Sequence, residues 1–386
     1  MIVVDASPLQ TEHKYRGIGT YTAGLLDALT RLLHSEPLGL LAEPARSGDL
    51  PLLADLLARP GVERVTLPRP EWRRSRLQWI VGSASVYPTI LRARPRLYHA
   101  TEGNGLVRVP GVTTVATLYD LIPLHDQTAH FPLGRLDNRI GYARYLRLLQ
   151  RVDHLIAISE ATKRDAVERL RIPPERVTVT PLAVDARRFY PRAPDEIARV
   201  LARYRLRRPY FLHIGSSDPN KNTENILRAF DQFSRHSHAE HILCIAGKWP
   251  AQALARLERS YPDLLESGRL RVLGYVPADD LPALYGGADL FVYPSLLEGF
   301  GLPVLEAMRC GAPVLTSTVS SLPEVAGDAA LLVDPHDPAA LTDALARVAG
   351  AADLRAELIA RGLRRAELFY WKLTAELTLR VYRSLL

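Results

Sequence analysis

Residues 293–311 read YPSLLEGFGLPVLEAMRCG. The apolar run before them predicts a buried strand that ends at Tyr293, and two glycines break the loop that follows. A short helix is predicted to start near Leu302, with Pro303 in its first turn and Gly311 just past its end. A strand, a glycine-rich turn and a helix in this order form the repeating unit of a parallel α/β sheet.

Two glutamates accompany this turn, Glu298 in the loop and Glu306 in the first turn of the predicted helix or just after it. The N–H groups of residues 300–302 lie at the predicted helix N-terminus, which is a favourable place for a phosphate group. A carboxylate that faced the same phosphate would repel it. We therefore predict that Glu298 and Glu306 face hydroxyl groups instead, one on a ribose and one on a sugar.

Short apolar runs alternate with amphipathic helical stretches along the chain, which predicts parallel α/β sheets. Helices are predicted over Thr20–Leu33 and Thr162–Leu170, and linker-like composition at residues 189–194 divides the chain. The pattern predicts two doubly wound domains with a cleft between them, and such sheets bind ligands beyond the carboxyl ends of their strands. The predicted strands are Ile2–Asp5, Arg96–His99, Val112–Leu118, His154–Ile158, Val177–Thr180, Tyr210–Ile214, His241–Ala246, Arg269–Leu273, Leu290–Tyr293, Pro313–Thr316 and Ala330–Val333.

The composition is that of a globular protein, with 47% hydrophobic and 24% charged residues among 386. No apolar run reaches the ~18 residues of a membrane span, and a strand is predicted from Ile2 onward. We therefore expect neither a transmembrane segment nor a signal peptide. Cys244 and Cys310 are far apart and have no metal-ligand spacing around them. We expect no disulfide, no metal site and a cytoplasmic location.

The net charge of +7 is concentrated in the first half of the chain. Residues 1–190 hold 26 Lys and Arg against 19 Asp and Glu, whereas residues 191–386 hold 23 of each. The segment Arg69–Arg96 contains seven arginines and one acid, with aromatic residues between them. We predict that this segment approaches an anionic acceptor or the inner face of a membrane. A solvated Arg-rich surface is the alternative. No nucleic-acid-binding motif accompanies the charge, so no nucleic acid partner is expected.

A second loop follows the predicted strand Tyr210–Ile214 and precedes a helix predicted over Thr223–Arg235. Lys221 lies just ahead of this helix, where its charge and the helix dipole both favour a diphosphate. A solvent-facing lysine before a helix cap is the alternative interpretation.

Residues 293–311 resemble the Glu-x7-Glu signature of the retaining GT-B glycosyltransferases of family 4 (group 1), which include bacterial mannosyltransferases. The resemblance extends to SSLPEVAGDAA at residues 320–330 and to VLGYVP at residues 272–277, and it covers nearly the whole chain. It implies an α/β GT-B fold of two Rossmann-like, doubly wound domains that face a central cleft. The implied domains are an acceptor-side domain over 1–190, a nucleotide-sugar domain over 191–365 and a C-terminal helix over 366–386 that crosses back to the first domain.

The resemblance also implies roles for single residues. Glu306 would hold the ribose hydroxyls, Glu298 the donor sugar near its 3-hydroxyl, and Lys221 the diphosphate. Many relatives carry Arg where this chain has Ser216, so Ser216 is a donor-binding candidate without that charge. The backbone contacts implied for the donor are those of Val276 with the base and of Phe300, Gly301 and Leu302 with the sugar.

Gly17 and Gly19 join the first predicted strand to the first predicted helix, within RGIGTY at residues 16–21. A Gly-x-Gly pair alone indicates a tight turn. The resemblance implies instead a loop that folds over the cleft near the donor phosphates.

Tyr119, Asp120 and His125 follow the predicted strand Val112–Leu118 and are candidates to contact the acceptor hydroxyl. Relatives often carry His where Tyr119 stands. A tyrosine can hydrogen-bond a sugar, but with a pKa near ~10 it cannot act as a base near neutral pH. Asp120 is alternatively a turn cap, and His125 is alternatively an ordinary loop residue.

These residues predict a hexosyltransferase that moves a hexose, with mannose favoured, from a nucleotide-diphosphate sugar to a hydroxyl of a glycan or lipid-linked acceptor. A GDP-sugar is favoured over a UDP-sugar as the donor. By the resemblance, the reaction needs no metal or cofactor and retains the anomeric configuration. Same-face attack is favoured over a covalent intermediate on Asp120. Two alternatives stay open: a sugar-nucleotide epimerase of the same fold, and a catalytically silent subunit that binds nucleotide or supports a partner enzyme.

Overall fold

The computed structural model describes residues 1–15, 17–33, 36–44, 51–68, 84–125 and 136–386. These residues form two compact units, Met1–Ala183 with Tyr370–Leu386, and Val184–Phe369. The predicted boundary at 190/191 lies slightly downstream of the division at Ala183. The predicted last segment, 366–386, starts slightly before Tyr370.

In the described part of the first unit, seven parallel strands form one sheet in the order β3-β2-β1-β4-β5-β6-β7. The strands are β1 (Ile2–Asp5), β2 (Leu38–Ala42), β3 (Val62–Thr66), β4 (Leu97–Ala100), β5 (Thr113–Leu118), β6 (His154–Ala157) and β7 (Val177–Val179). The helices that join them are α1 (Gly17–Leu32), α2 (Pro51–Leu57), α3 (Val86–Ala93), α4 (Ile122–His125), α5 (Leu136–Leu149) and α6 (Glu160–Leu170).

The second unit holds a six-stranded parallel sheet in the order β10-β9-β8-β11-β12-β13. Its strands are β8 (Tyr210–Ile214), β9 (Ile242–Ala246), β10 (Leu270–Gly274), β11 (Leu290–Tyr293), β12 (Val314–Ser317) and β13 (Leu331–Val333). Its helices are α7 (Pro194–Arg203), α8 (Thr223–His236), α9 (Ala251–Ser260), α10 (Pro262–Glu266), α11 (Leu281–Gly287), α12 (Leu302–Arg309), α13 (Leu322–Ala326), α14 (Pro338–Gly350) and α15 (Ala352–Ala366).

The prediction of doubly wound α/β sheets is confirmed in each unit. The predicted strands agree with the structure to within one residue at each end. Strands β2 and β3 were not predicted. The sequence of β2, LGLLA, lacks β-branched residues. Strand β3 is an edge strand, and three of the five residues of its sequence, VERVT, are charged or polar. Pairing of β2 with the fully buried β1, and of β3 with β2, overrides these weak local preferences.

Helix α16 (Trp371–Leu385) belongs to the first unit and packs against α1. The Trp371 ring lies against α1 at Gly24, where an added Cβ would come within 2.1 Å of the ring atom Cε2. Thr374 donates a hydrogen bond from Oγ1 to the Pro181 carbonyl at 2.7 Å. The absence of a side chain at position 24 therefore decides how closely the two helices approach.

A buried polar chain fixes the other end of α16. The Tyr382 hydroxyl lies 2.6 Å from His99 Nδ1, and His99 Nε2 lies 2.8 Å from Thr117 Oγ1. Burial lowers the pKa of His99 to about 3, so the ring is neutral near neutral pH. His99 therefore bridges α16 to strands β4 and β5.

The segment Arg69–Arg96 is described only in part, since residues 69–83 lie outside the described residues. Its described part includes α3. The predicted contact of this segment with a membrane or an anionic acceptor stays a prediction. None of the helices among the described residues has the length and apolar character needed to cross a bilayer.

Replacing Gly24 with alanine tests the packing of α16. The new Cβ overlaps the Trp371 ring, so we expect Gly24→Ala to destabilise the protein by about 1–3 kcal/mol, the usual cost of overpacking. The matched control is Gly350→Ala in α14, where an added Cβ meets nothing within 4 Å. The melting temperature, measured by calorimetry, should fall for the first variant and not for the second. An equal effect of both substitutions would contradict the packing described here.

Candidate functional site

Strands β8 and β11 are paired at the point where the strand order of the second sheet reverses. Their carboxyl-terminal loops are joined directly. The Leu296 N–H donates to the Asn220 carbonyl at 2.8 Å, and Asn222 Nδ2 donates to the Pro294 carbonyl at 3.0 Å. Doubly wound sheets bind ligands at such a reversal, beyond the carboxyl ends of the strands. Both predicted donor-binding segments therefore lie at one place.

The turn after β11 depends on Gly301. Its φ of +109° lies in the left-handed region, and an added Cβ would lie 2.6 Å from Leu322 Cδ2. The φ value requires glycine here, and a Cβ would also displace the Leu322 side chain. Helix α12 starts at the next residue, Leu302, with the Val304 N–H bonded to the Gly301 carbonyl at 3.0 Å. The first N–H groups of a helix have no partner within it, so the start of α12 can receive an anion.

Two serines from the loop after β12 hold the turn from the other side. Ser320 Oγ accepts from the Glu298 N–H at 3.0 Å and lies 2.6 Å from the Glu298 carbonyl. Ser321 Oγ lies 3.0 Å from the same carbonyl and 2.8 Å from that of Phe300. The Phe300 ring is buried and packs edge-on against Phe369, 5.9 Å away. The backbone that carries Glu298 is thus fixed at both ends.

Lys221 and Glu298, 77 residues apart in sequence, form an ion pair with Nζ and Oε1 2.6 Å apart. The Tyr293 hydroxyl lies 2.8 Å from both of these atoms. Only 26% of the Lys221 side chain and 12% of the Glu298 side chain are exposed. The structure thus brings together the predicted diphosphate and sugar contacts.

The protonation states in this cluster follow from its burial. Burial disfavours a charged Lys221, but Tyr293 and Glu298 more than offset this, so the pKa of Lys221 is raised above its ordinary value. Burial, reinforced by the Glu298 charge, raises the pKa of Tyr293. Near neutral pH the cluster therefore holds an ammonium and a protonated phenol.

Glu306 lies in the second turn of α12, half-buried, and its Oε2 accepts a hydrogen bond from the Tyr285 hydroxyl at 3.0 Å. Burial raises its pKa from the ordinary 4.5 to about 7, although Tyr285 and the charge of Arg188 act in the opposite direction. The side chain therefore changes charge near neutral pH.

Val276 is buried just after β10, two strands away from β8 in the sheet. Ser216 follows β8 directly after Gly215, and its Oγ accepts from the Asp218 N–H at 3.2 Å. Both lie after the carboxyl ends of their strands, as Lys221 and Glu298 do. The order of these strand ends along the sheet is β10, β9, β8, β11.

The prediction that Gly17 and Gly19 lie in a loop is wrong. Helix α1 starts at Gly17, not at Thr20, so both glycines belong to its first turn. A Cβ at Gly19 would lie 2.4 Å from the His13 carbonyl oxygen and 2.5 Å from Lys14 Cα. Gly19 is thus required for the close approach of residues 13–14 to α1, and the short spacing of the two glycines gave no sign of this.

The predicted acceptor contacts in the first unit make bonds within the protein. The Tyr119 hydroxyl donates to the Thr101 carbonyl at 2.8 Å, and burial raises the pKa of Tyr119 well above its ordinary value. Asp120 Oδ1 accepts from the Ile122 N–H at 3.1 Å and so caps the start of α4. His125 contacts Asp165 and Arg169. The distances are 2.9 Å from Nε2 to Asp165 Oδ2 and 2.8 Å from Nδ1 to Arg169 Nη2.

Four residues of the site were not predicted, the tyrosines Tyr285 and Tyr293 and the serines Ser320 and Ser321. Each tyrosine lies in an apolar stretch of sequence that predicts a buried core position. Only its hydroxyl contacts a glutamate of the site. The serines lie in the quoted run SSLPEVAGDAA, so the sequence marked their segment without showing what they bind.

Two family profiles match the chain. The profile described as Glycosyltransferase Family 4 matches residues 15–188, and that described as Glycosyl transferases group 1 matches residues 199–365. Together they cover most of both units.

Curated relatives include mannosyltransferases of Escherichia coli. O-antigen chain mannosyltransferase B is 37% identical over 235 residues, which are 60% of this chain and 60% of that protein. Serotype-specific mannosyltransferase WbdA is 33% identical over 277 residues, 71% of this chain and 34% of that protein. The D-inositol 3-phosphate glycosyltransferase of Salinispora tropica is 34% identical over 61% of this chain and 52% of its own. The chain thus spans between a third and three fifths of these relatives.

Solved structures share the fold over the whole chain. Anabaena HepE, in complex with UDP and glucose, superposes with a TM-score of 0.70 at 17% identity, covering 99% of both chains. Sucrose-phosphate synthase from Thermosynechococcus elongatus gives 0.74 at 20% identity, covering 100% of this chain and 98% of its own. At these identities the likeness is one of fold.

The raised pKa of Glu306 predicts a pH-dependent stability. The folded protein keeps the Glu306 proton up to about pH 7, whereas the unfolded chain loses it near 4.5. This contribution to stability is therefore fully present below pH 4.5 and is lost as the pH rises to 7. As the pH is raised from 5 to 8, we therefore expect the melting temperature of Glu306→Gln to increase relative to that of the wild type. Glu258→Gln, at an exposed position of α9, is the control. A difference between Glu306→Gln and wild type that stays constant with pH would refute the assignment.

Proposed function

The chain belongs to the group 1 glycosyl transferases of Glycosyltransferase Family 4, and from this premise we propose that it is a retaining hexosyltransferase. In this proposal it moves a hexose from a nucleotide-diphosphate sugar to a hydroxyl of a glycan or lipid-linked acceptor. The observation that carries the proposal is the cluster of Lys221, Tyr293 and Glu298 next to the start of α12. It combines a cation and helix N–H groups for a diphosphate with a carboxylate for sugar hydroxyls.

The proposed chemistry follows from where charge develops. When the anomeric bond breaks, positive charge grows on the sugar and negative charge on the leaving diphosphate. Lys221 and the N-terminus of α12 stabilise the diphosphate. Glu298 accepts hydrogen bonds from the sugar hydroxyls and orients the ring. The acceptor attacks from the face that the diphosphate leaves, and a departing phosphate oxygen takes its proton.

Glu306 and Val276 complete the donor site in this proposal. The Glu306 carboxylate accepts hydrogen bonds from the two ribose hydroxyls, and Tyr285 holds its other oxygen. Backbone groups at Val276 meet the base. The acceptor lies near Tyr119, Asp120 and His125 in this proposal. The phenol oxygen of Tyr119 and the carboxylate oxygens of Asp120 can each accept more than one hydrogen bond.

Mannose is the proposed sugar, and GDP the proposed nucleotide, because the Escherichia coli relatives are named as mannosyltransferases. HepE, a structural neighbour, was solved with UDP and glucose, so a UDP-sugar is the competing donor. Neither a metal nor a cofactor takes part in the proposed reaction. Among the described residues, no three His, Cys, Asp or Glu side chains converge as a metal site requires.

A thermal-shift comparison of GDP, UDP and dTDP tests the donor. A ligand present at 100 times its Kd stabilises the folded state by about 2.7 kcal/mol. We expect all three nucleotides to raise the melting temperature at some concentration, and GDP to do so at the lowest. No shift with any of them at millimolar concentration would rule out a nucleotide-sugar enzyme.

Substitution of Lys221 tests the chemistry. We expect Lys221→Met to reduce turnover by about 10²–10³-fold, the usual effect of losing one such charge-stabilising donor. Lys372→Met is the control, because Lys372 is exposed on α16 and pairs with Glu376. The wild type and the two variants are assayed with GDP-mannose and an acceptor, in the absence and in the presence of EDTA. Loss of wild-type activity on EDTA addition would argue against a metal-independent reaction.

The same assay separates the alternatives. A sugar-nucleotide epimerase converts its donor without any acceptor, whereas a silent subunit binds nucleotide and turns over nothing. For a retaining transferase, NMR of the product must show the anomeric configuration of the donor sugar.

A further inference from the structure

The Tyr293 hydroxyl occupies a fixed position between the two charged groups of the site. Tyr293 is 1% exposed at the end of β11, and its ring stacks on Phe291 with centroids 5.6 Å apart and planes at 17°. Its carbonyl accepts from Thr316 Oγ1 at 2.8 Å. Neither the ring nor the backbone has room to move, so the hydroxyl is a rigid part of the site.

The direction of the hydrogen bonds is determined by chemistry. An ammonium group has only donors, so Lys221 Nζ donates to the Tyr293 oxygen at 2.8 Å. The single phenolic proton then goes to Glu298 Oε1, also at 2.8 Å. The same Oε1 receives a second donor from Lys221 at 2.6 Å. Glu298 is therefore held by two donors, a charged one at the end of the flexible Lys221 side chain and a neutral one on the buried Tyr293 ring.

A bound diphosphate would compete with Glu298 for the positive charge of Lys221. Lys221 carries one positive charge, which Glu298 already neutralises in the ligand-free protein. A diphosphate next to the start of α12 competes for that charge, and it also repels the Glu298 carboxylate. As Lys221 turns toward the diphosphate, Glu298 Oε1 loses its charged donor while 12% exposed, where an unpaired charge is costly.

We propose that Tyr293 is a positioning residue that keeps Glu298 in place while Lys221 passes from Glu298 to the diphosphate. The inference rests on the proposed function, since it requires a diphosphate ligand. Its physical basis is that the Tyr293 proton cannot follow the diphosphate, because the ring that carries it is held by Phe291 and the strand. Glu298 thus keeps one donor and its orientation toward the sugar.

A double-mutant cycle on nucleotide binding tests this role. GDP binding is measured by calorimetry for the wild type, Tyr293→Phe, Glu298→Gln and the double variant. Tyr293→Phe removes only the hydroxyl, so in the nucleotide complex Glu298 is left without its rigid donor. We expect GDP to bind about tenfold more weakly, the usual effect of leaving a buried charged acceptor short of a hydrogen bond. In the Glu298→Gln background the same substitution should change the affinity by less than about twofold.

Tyr261→Phe is the matched control, because the Tyr261 hydroxyl also donates to a glutamate of the second unit, Glu224, at 3.1 Å, but on the exposed surface. It should leave GDP affinity unchanged. Steady-state kinetics with GDP-mannose give a further readout. In Tyr293→Phe we expect kcat to fall more than KM rises, since a misplaced Glu298 affects the sugar after binding.

The outcomes separate the two ideas. If the wild type binds neither GDP nor UDP, the proposed function fails, and this inference fails with it. If the wild type binds and Tyr293→Phe weakens binding equally with and without Glu298, or not at all, only the positioning role is overturned. Each variant is checked by its melting temperature, and Tyr293→Met replaces Tyr293→Phe if the latter is unfolded.

Discussion

Strands β8 and β11 lie side by side at the strand-order reversal, and hydrogen bonds between residues 220–222 and 294–296 join their carboxyl-terminal loops. Asn222 also donates to the Pro335 carbonyl at 2.7 Å, which ties in the loop after β13. These hydrogen bonds join the two loops that carry Lys221 and Glu298, so the geometry of the cluster depends on them.

Glu298 and Glu306 have one kind of hydrogen-bond donor in common but differ in what governs their charge. A buried tyrosine donates to each, Tyr293 to Glu298 at 2.8 Å and Tyr285 to Glu306 at 3.0 Å. Glu298 also has an ammonium group in direct contact. For Glu306 burial dominates, and its pKa rises to about 7. The charge of Glu298 is thus neutralised by Lys221 within the protein, whereas the charge of Glu306 depends on pH.

In the first unit, several polar side chains that the sequence singled out make hydrogen bonds that stabilise the fold. His99 bridges α16 to the sheet, Tyr119 donates to the Thr101 carbonyl, and Asp120 caps α4. Gly19 permits close packing at the start of α1. Side chains that a sequence pattern singles out as reactive can therefore have structural bonds, and a structural bond to one lone pair leaves an oxygen able to contact a ligand.

The sequence alone determined the alternation of strands and helices, the turn at Gly301 and the candidates Lys221, Glu298 and Glu306. These features are local: hydrophobic periodicity, backbone freedom and capping act over a few residues. The sequence missed β2 and β3, because the pairing of β2 with β1 and of β3 with β2, and not their own composition, makes them strands. It also placed Gly17 and Gly19 in a loop that proved to be helix. Only the tertiary structure decided that Lys221 and Glu298, 77 residues apart, share an ion pair, and that the Tyr293 hydroxyl lies between them. Such contacts depend on which strands become neighbours, and no short-range pattern in the chain records that choice.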